Sequence, residues 1–173
     1  MPPALIVFSG LPGTGKSTLA EAAGRAFGWP VFTKDRLEAP LWRSGLTREL
    51  GSGWAAYELL TTLAEQQLQL DQSAVLDSVA GRAGLRRQWR QLAERYSASF
   101  RIVECVCSDE SLHRARLVGR QRGILGWYEL DWAEVERVRG EYEPLADKGP
   151  LVDMVHPMAD NLAAVLGYLR AGL

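Results

Sequence analysis

Apolar residues recur along this chain in two alternating rhythms. Short runs that are apolar or β-branched, ALIVF (4–8), WPVF (29–32), SAVLD (73–77), SFRIVECV (99–106) and PLVDMV (150–155), are mostly bounded by Gly, Pro or Ser and predict strands. Between them the spacing turns helical, over 16–27, 53–70, 84–96, 109–122, 131–142 and 159–170. The stretch GWAAYELLTTLAEQQLQL predicts the most regular helix, with Tyr57, Leu60, Leu63, Ala64, Gln67 and Leu68 near one face. Strands alternating with helices imply a parallel sheet covered on both faces. Residues 43–53, RSGLTRELGSG, read as a mobile loop. No repeat, low-complexity tract or linker interrupts the pattern, so one domain is expected over 1–173.

Composition narrows the class. A chain of 173 residues with 47% hydrophobic content can bury one well-formed core. Its net charge of −1 and pI near 6.1 give no overall field that would make nucleic acid or an anionic membrane an obligatory partner. Cys105 and Cys107 alternate with valines on one side of a predicted strand, a spacing that disfavours a disulfide, so free thiols in a reducing compartment are expected. MPPALIVFSG lacks a basic leader and its apolar run is too short for a signal or a membrane span. The expected location is the cytoplasm.

The strongest chemical signal is GLPGTGKST, which fits G-x-x-x-x-G-K-[ST] between a predicted strand and a predicted helix. Gly10, Gly13 and Gly15 allow the backbone, with Leu11, Pro12 and Thr14 between them, to turn its N–H groups around phosphate oxygens at the positive end of a helix. Lys16 then reaches the β- and γ-phosphates, the Ser17 hydroxyl ligates Mg²⁺, and Thr18 supports the helix start. Switches, motors and kinases share such a loop. The guanine-reading [NT]-K-x-D is missing, because Thr33-Lys34-Asp35-Arg36 sets its aspartate one place early. Motor ATPases place a glutamate after the aspartate that ends a hydrophobic strand, whereas here Asp77 is followed by Ser78. Water is therefore not the expected acceptor, and Asp77 is left to hold Mg²⁺ or orient a substrate, or else to cap the following turn.

Within VFTKDRLEAP a strand suited to the interior runs into three charges, Lys34, Asp35 and Arg36. In open α/β sheets the carboxyl ends of the strands gather the ligands, so these charges are expected beside the phosphate site. Asp35 there can take the proton of an attacking hydroxyl, with Arg36 or Lys34 clamping the acceptor. A helix cap before RLEAPLW is the structural alternative for Asp35. Basic residues are 17 Arg against 3 Lys, and two of those lysines are Lys16 and Lys34. That bias suggests a need for compact point charges at both places.

Taken together, GLPGTGKST, TKDRL, AVLDS with an Arg nine positions on, and an arginine-rich helix resemble small P-loop kinases grouped with the polynucleotide-kinase-like and chloramphenicol- or zeta-type phosphotransferases. The resemblance implies a three-layer α/β/α P-loop NTPase fold, with a five-stranded parallel sheet in the order 2-3-1-4-5 and a helical lid over about 114–130. It also implies Asp35 as base, Asp77 as a metal- or substrate-facing carboxylate, Arg86 or the adjoining Arg87 near the acceptor, and Arg116 and Arg120 over the nucleotide phosphates. If 109–122 is helical, Arg116 and Arg120 share a face while Arg114 and Arg122 point elsewhere; a solvated basic face is the alternative. Trp42 with Trp54, or Trp127 with Trp132, could stack on an acceptor, although core filling is the default for tryptophan. Glu141 and Glu143 could meet a cationic acceptor or simply end an exposed helix. With His113 and His156 as the only histidines, a zinc site is not expected.

The expected activity is transfer of the γ-phosphate of ATP, with Mg²⁺, to a hydroxyl of a small molecule. Two alternatives stay open: a 5′-hydroxyl polynucleotide kinase, for which nucleic acid would be the partner, and a regulatory module that binds nucleotide without catalysis. Oligomeric state and acceptor identity are not written in these residues.

Overall fold

A computed structural model describes residues 2–146 and 149–172. Its elements run β1 (Ala4–Ser9), α1 (Lys16–Phe27), β2 (Val31–Thr33), α2 (Lys34–Arg43), α3 (Ser52–Gln69), β3 (Ala74–Asp77), α4 (Ala83–Arg95), β4 (Ser99–Val106), α5 (Glu110–Leu117), α6 (Trp132–Glu141), β5 (Leu151–Asp153) and α7 (Met158–Arg170). The sheet is parallel throughout, in the order β2-β3-β1-β4-β5. This is the α/β P-loop NTPase architecture with the strand order expected.

The continuous apolar run of β1 reflects burial on both sides. Ala4, Ile6 and Phe8 pack towards Leu19, Ala20 and Ala23 of α1 and Val165 and Leu169 of α7. Leu5 and Val7 pack the other way, with Leu60, Ala64 and Leu68 of α3 and Trp89 of α4. Trp89 is wholly buried and its indole N–H donates to Thr61 Oγ1 at 2.9 Å, so its polar atom is satisfied inside the core. Leu60, Ala64 and Leu68 realise the apolar stripe expected of α3. Both cysteines are free. No helix among the described residues is long and apolar enough to cross a membrane.

Register decides what meets at the carboxyl edge. Phe8 and Thr33 both stand opposite Asp77. The end of β1 that launches the glycine loop and the end of β2 that launches Lys34–Asp35 therefore flank one carboxylate.

Two elements differ from the sequence expectation. Helix α2 begins directly at Lys34 and continues to Arg43 with Pro40 inside it. An interior Pro ordinarily costs a helix about 3 kcal/mol. Here tertiary bonds from α2 to Ser52 at the head of α3, accepted by Glu38 and donated by Trp42, oppose that cost. Helix α5 stops at Leu117, with Val118 extended and Gly119 at φ 68°, so 118–131 is an irregular strap with no regular helix. Its aromatic residues dock on α2: Trp42 stacks on Trp127 at 4.4 Å and on Tyr128 at 5.1 Å.

Candidate functional site

The glycine loop leaves β1 at Gly10 and enters α1 at Lys16. Gly10 sits at φ 140°, and a Cβ there would lie 2.2 Å from the Cys105 carbonyl oxygen of β4, so only glycine lets the chain pass. Thr14 folds back, its hydroxyl donating to Leu11 O at 3.0 Å. Helix α1 has no side-chain cap and no acidic residue in its first turn, so none of its own side chains competes with a ligand for its first N–H groups. Behind the loop, His113 is 2% exposed and its Nε2 lies 2.7 Å from Pro12 O. Burial lowers the pKa of this imidazole, so the neutral ring with Nε2–H donating to the carbonyl is the fitting tautomer. The histidine braces the loop from below.

Asp77 is 1% exposed and neither carboxylate oxygen has a hydrogen-bond partner. Burial pushes its pKa above the ordinary carboxylate range, while Lys16 and the hydroxyls of Ser17 and Thr33 pull it partly back without closing to bonding geometry. Orphaned anionic oxygens beside a serine hydroxyl fit a hard cation that takes oxygen ligands, and Mg²⁺ is such an ion. Gly13, Gly15 and the head of α1 fit the phosphates that would share it.

Asp35 stands in the first turn of α2. Its Oδ2 accepts from Arg122 Nη1 at 2.6 Å, and Oδ1 has no hydrogen bond among the described residues. Burial alone would raise this carboxyl, but Lys34, Arg122 and Lys16 outweigh it and hold the pKa below the usual range. Lys34 is itself paired with the buried Glu38, whose other oxygen accepts from Ser52 Oγ at 2.8 Å. Arg122 is fixed by Glu129, at 3.3 Å, and by the Trp127 ring, 4.9 Å from its guanidinium carbon.

Two cavities flank this line of charge. One, of about 520 Å³, is bounded by Gly13, Gly15 and Thr18 of the loop and α1 and by Arg116 and Met154. The other, of about 320 Å³, is bounded by Asp35, Glu38, Tyr57, Asp77 and Ser78. Lys16, Ser17, Thr33, Arg120 and Arg122 line both. The cavities thus meet at the loop lysine and the strap arginines, with Asp35 and Asp77 only on the smaller side.

The remaining sequence-predicted residues divide between the two cavities and positions outside them. Arg86 lines neither cavity; it is 8% exposed and donates to Ala80 O at 2.8 Å and to Glu143 O and Pro144 O at 2.9 Å each. The regular turn of α4 carries it under the β3–α4 loop, where it ties that loop to the segment after α6. Arg36 lines the larger cavity, not the smaller one that Asp35 lines, and its guanidinium lies 3.9 Å from Glu21. Arg116 and Arg120 do not share a helix face, since α5 ends between them, yet both reach the larger cavity. Arg116 is anchored on Met154 O at 2.8 Å. Gly10, Leu11 and Thr14 line a third, rear cavity beneath the loop. Thr18 is exposed and caps nothing. Of the tryptophans, Trp42 and Trp127 stack on each other, Trp132 meets His113 edge-on, and Trp54 is 55% exposed at the smaller cavity. Glu143 caps α4 through Ala83 N, and Glu141 pairs with Arg137.

Glu38, Tyr57 and Arg82 are cavity residues that the sequence did not mark, and Arg122, expected to point away from the site, instead reaches Asp35. Gly119 was the available signal for Arg122, since a glycine after a helical run permits the turn that swings the next arginines off the α5 face.

Comparison with known proteins agrees with this fold. No curated protein matches the sequence. Among solved structures, a putative kinase from Chloroflexus aurantiacus J-10-fl is 28% identical over 100% of both chains, with a TM-score of 0.78. A gluconokinase from Sinorhizobium meliloti 1021 is 20% identical over 98% of this chain and 94% of its own (TM-score 0.73). Kti12 of Chaetomium thermophilum, solved with ADP-AlF3, is 17% identical over 97% of this chain and 98% of its own (TM-score 0.75). The family model AAA_33, described as an AAA domain, matches residues 5–145, and the chain belongs to that family.

Proposed function

We propose that this protein is a Mg²⁺-dependent phosphotransferase that moves the γ-phosphoryl group of ATP to a hydroxyl of a small molecule. The observation that carries this reading is the meeting of two cavities at Lys16, Ser17, Thr33, Arg120 and Arg122, with an ionised carboxylate, Asp35, on the smaller side alone. The larger cavity takes the triphosphate, with the loop amides and Lys16 on its β- and γ-phosphates. Ser17 and Asp77 hold Mg²⁺, which when bound neutralises phosphate charge.

The acceptor hydroxyl lies in the smaller cavity and gives its proton to Asp35 Oδ1 as its oxygen bonds to the γ-phosphorus. The bond from that phosphorus to the β,γ-bridging oxygen breaks, and ADP leaves. A strong base is not required, because phosphoryl transfer relies mainly on alignment and charge stabilisation; a carboxylate held ionised by Lys34 and Arg122 is sufficient. Arg120 and Arg122, reaching both cavities, spread the charge of the transferring group. The whole chain is read as one such domain, working in the cytoplasm. Glycerol-like polyols, sugars, sugar acids and a 5′-hydroxyl oligonucleotide, each offered with γ-labelled ATP, test the reading through label recovered in a phosphomonoester. The expected product is a small phosphate ester, absent with Lys16→Ala. Label appearing only as inorganic phosphate, or only on the oligonucleotide, contradicts it.

A further inference from the structure

The smaller cavity carries a charge pattern that says more about its occupant than the presence of a hydroxyl. Most of its ionic groups are already paired: Glu38 with Lys34, Asp35 with Arg122, Glu134 with Arg48 and Arg137, and Glu141 with Arg137. Lys16 and Arg120 also line the phosphate side, and Asp77 faces Ser17 at the metal position. Arg82 remains. It is exposed, no acidic side chain among the described residues pairs with it, and its guanidinium carbon lies 5.4 Å from the Trp54 ring.

A wall connects Arg82 to the reacting end. Lys34 Nζ, next to Asp35, is 5.5 Å from the Tyr57 ring; that ring is 6.2 Å from Trp54, which lies against Arg82. Beside the Tyr57 hydroxyl of this wall, Ser78 is 4% exposed, and its own hydroxyl does not close to bonding geometry with any neighbour among the described residues. A buried hydroxyl without a partner, lining a cavity, is a position for a polar group of a ligand. Fixed by the tight β3–α4 turn, with Ala80 at φ 48°, Arg82 and Ser78 stand at opposite ends of one loop.

We infer that the acceptor is a small anion: a hydroxyl compound bearing a carboxylate or phosphate remote from the hydroxyl that is phosphorylated. Arg82 binds that anionic group as a guanidinium fork, Trp54 and Tyr57 offer faces to the carbon skeleton, and Ser78 bonds a polar group near the reacting hydroxyl. A neutral polyol would leave Arg82 without a counter-charge, and a cationic acceptor would be repelled by it. This inference rests on the phosphotransferase reading and adds the chemical class of the acceptor.

The test fractionates a deproteinised cell extract, filtered to small molecules, on an anion exchanger. Retained and unretained pools are each incubated with the protein and γ-labelled ATP. Label is expected in the retained pool, and the acceptor purified from it is expected to show a KM raised about ten- to hundredfold by Arg82→Gln, with kcat and nucleotide affinity within twofold of the parent. Arg82→Lys recovers part of that loss by restoring the charge without the fork. Thermal unfolding confirms that both variants are folded. Equal or stronger label in the unretained pool, or a KM untouched by Arg82→Gln, overturns the anionic class while leaving the phosphotransferase standing. Label in neither pool overturns both.

Discussion

Replacing Asp77 by Asn separates what the buried carboxylate costs the fold from what it does for a ligand. Both of its oxygens are without hydrogen-bond partners at 1% exposure, and burial raises the carboxyl pKa. A carboxyl whose pKa is higher in the folded state than in the unfolded chain contributes stability below its unfolded pKa, and that contribution is lost as pH rises towards the folded value. As pH rises the wild-type protein loses it, while the Asn variant has no charge to bury. An unpartnered buried polar group costs about 1–3 kcal/mol, and more when ionised, so exchanging carboxylate for an imperfectly paired amide is expected to stabilise the ligand-free protein by about 1–2 kcal/mol. For a chain of this length that is a rise in Tm of about 2–8 °C. Nucleotide with Mg²⁺ at a hundred times its Kd should raise the wild-type Tm further, through about 2.7 kcal/mol of binding linkage. The variant should lose the part of that rise that depends on Mg²⁺. Calorimetry of both proteins, with nucleotide alone and with Mg²⁺ added, reads all of these quantities. A ligand-free variant that melts below the wild type, or one that keeps the full Mg²⁺ increment, would refute the reasoning.

Other perturbations follow from the same contacts. Arg86→Met removes three charge-assisted bonds to backbone carbonyls and is expected to destabilise the fold by about 2–4 kcal/mol, read as a Tm lower by about 5–15 °C, with little change in KM for either substrate. Arg122→Gln removes one of the cations holding Asp35 ionised, so its pKa rises and the acid limb of the kcat/KM profile moves to higher pH; an unmoved limb would separate Arg122 from Asp35.

The sequence made the strands, their parallel pairing and the glycine loop legible because these depend on local pattern: β1 is apolar on both faces, and GLPGTGKST carries its own geometry; the strand order came from the family resemblance alone. Helix α2 was legible only as the alternative that made Asp35 a cap before RLEAPLW, because its first turn is charged and Pro40 signals a break, while the bonds to Ser52 and the aromatic stack that oppose that signal come from distant segments. Arg122 was misplaced for a related reason. Periodicity ran past Gly119, so the arginine that reaches Asp35 was assigned to the wrong face of a helix that ends at Leu117. Arg86 and Arg82 show the limit of spacing: the first is drawn under the loop by backbone carbonyls, and the second is left at the cavity. The His113 brace is a contact across 101 positions, which no local pattern announces.

The most direct measurement is the single-turnover rate of label transfer from γ-labelled ATP to the purified acceptor by the Asp35→Asn variant, with nucleotide affinity determined alongside. The account predicts a rate about a hundredfold or more below wild type with nucleotide binding preserved. A rate within threefold of wild type would contradict it.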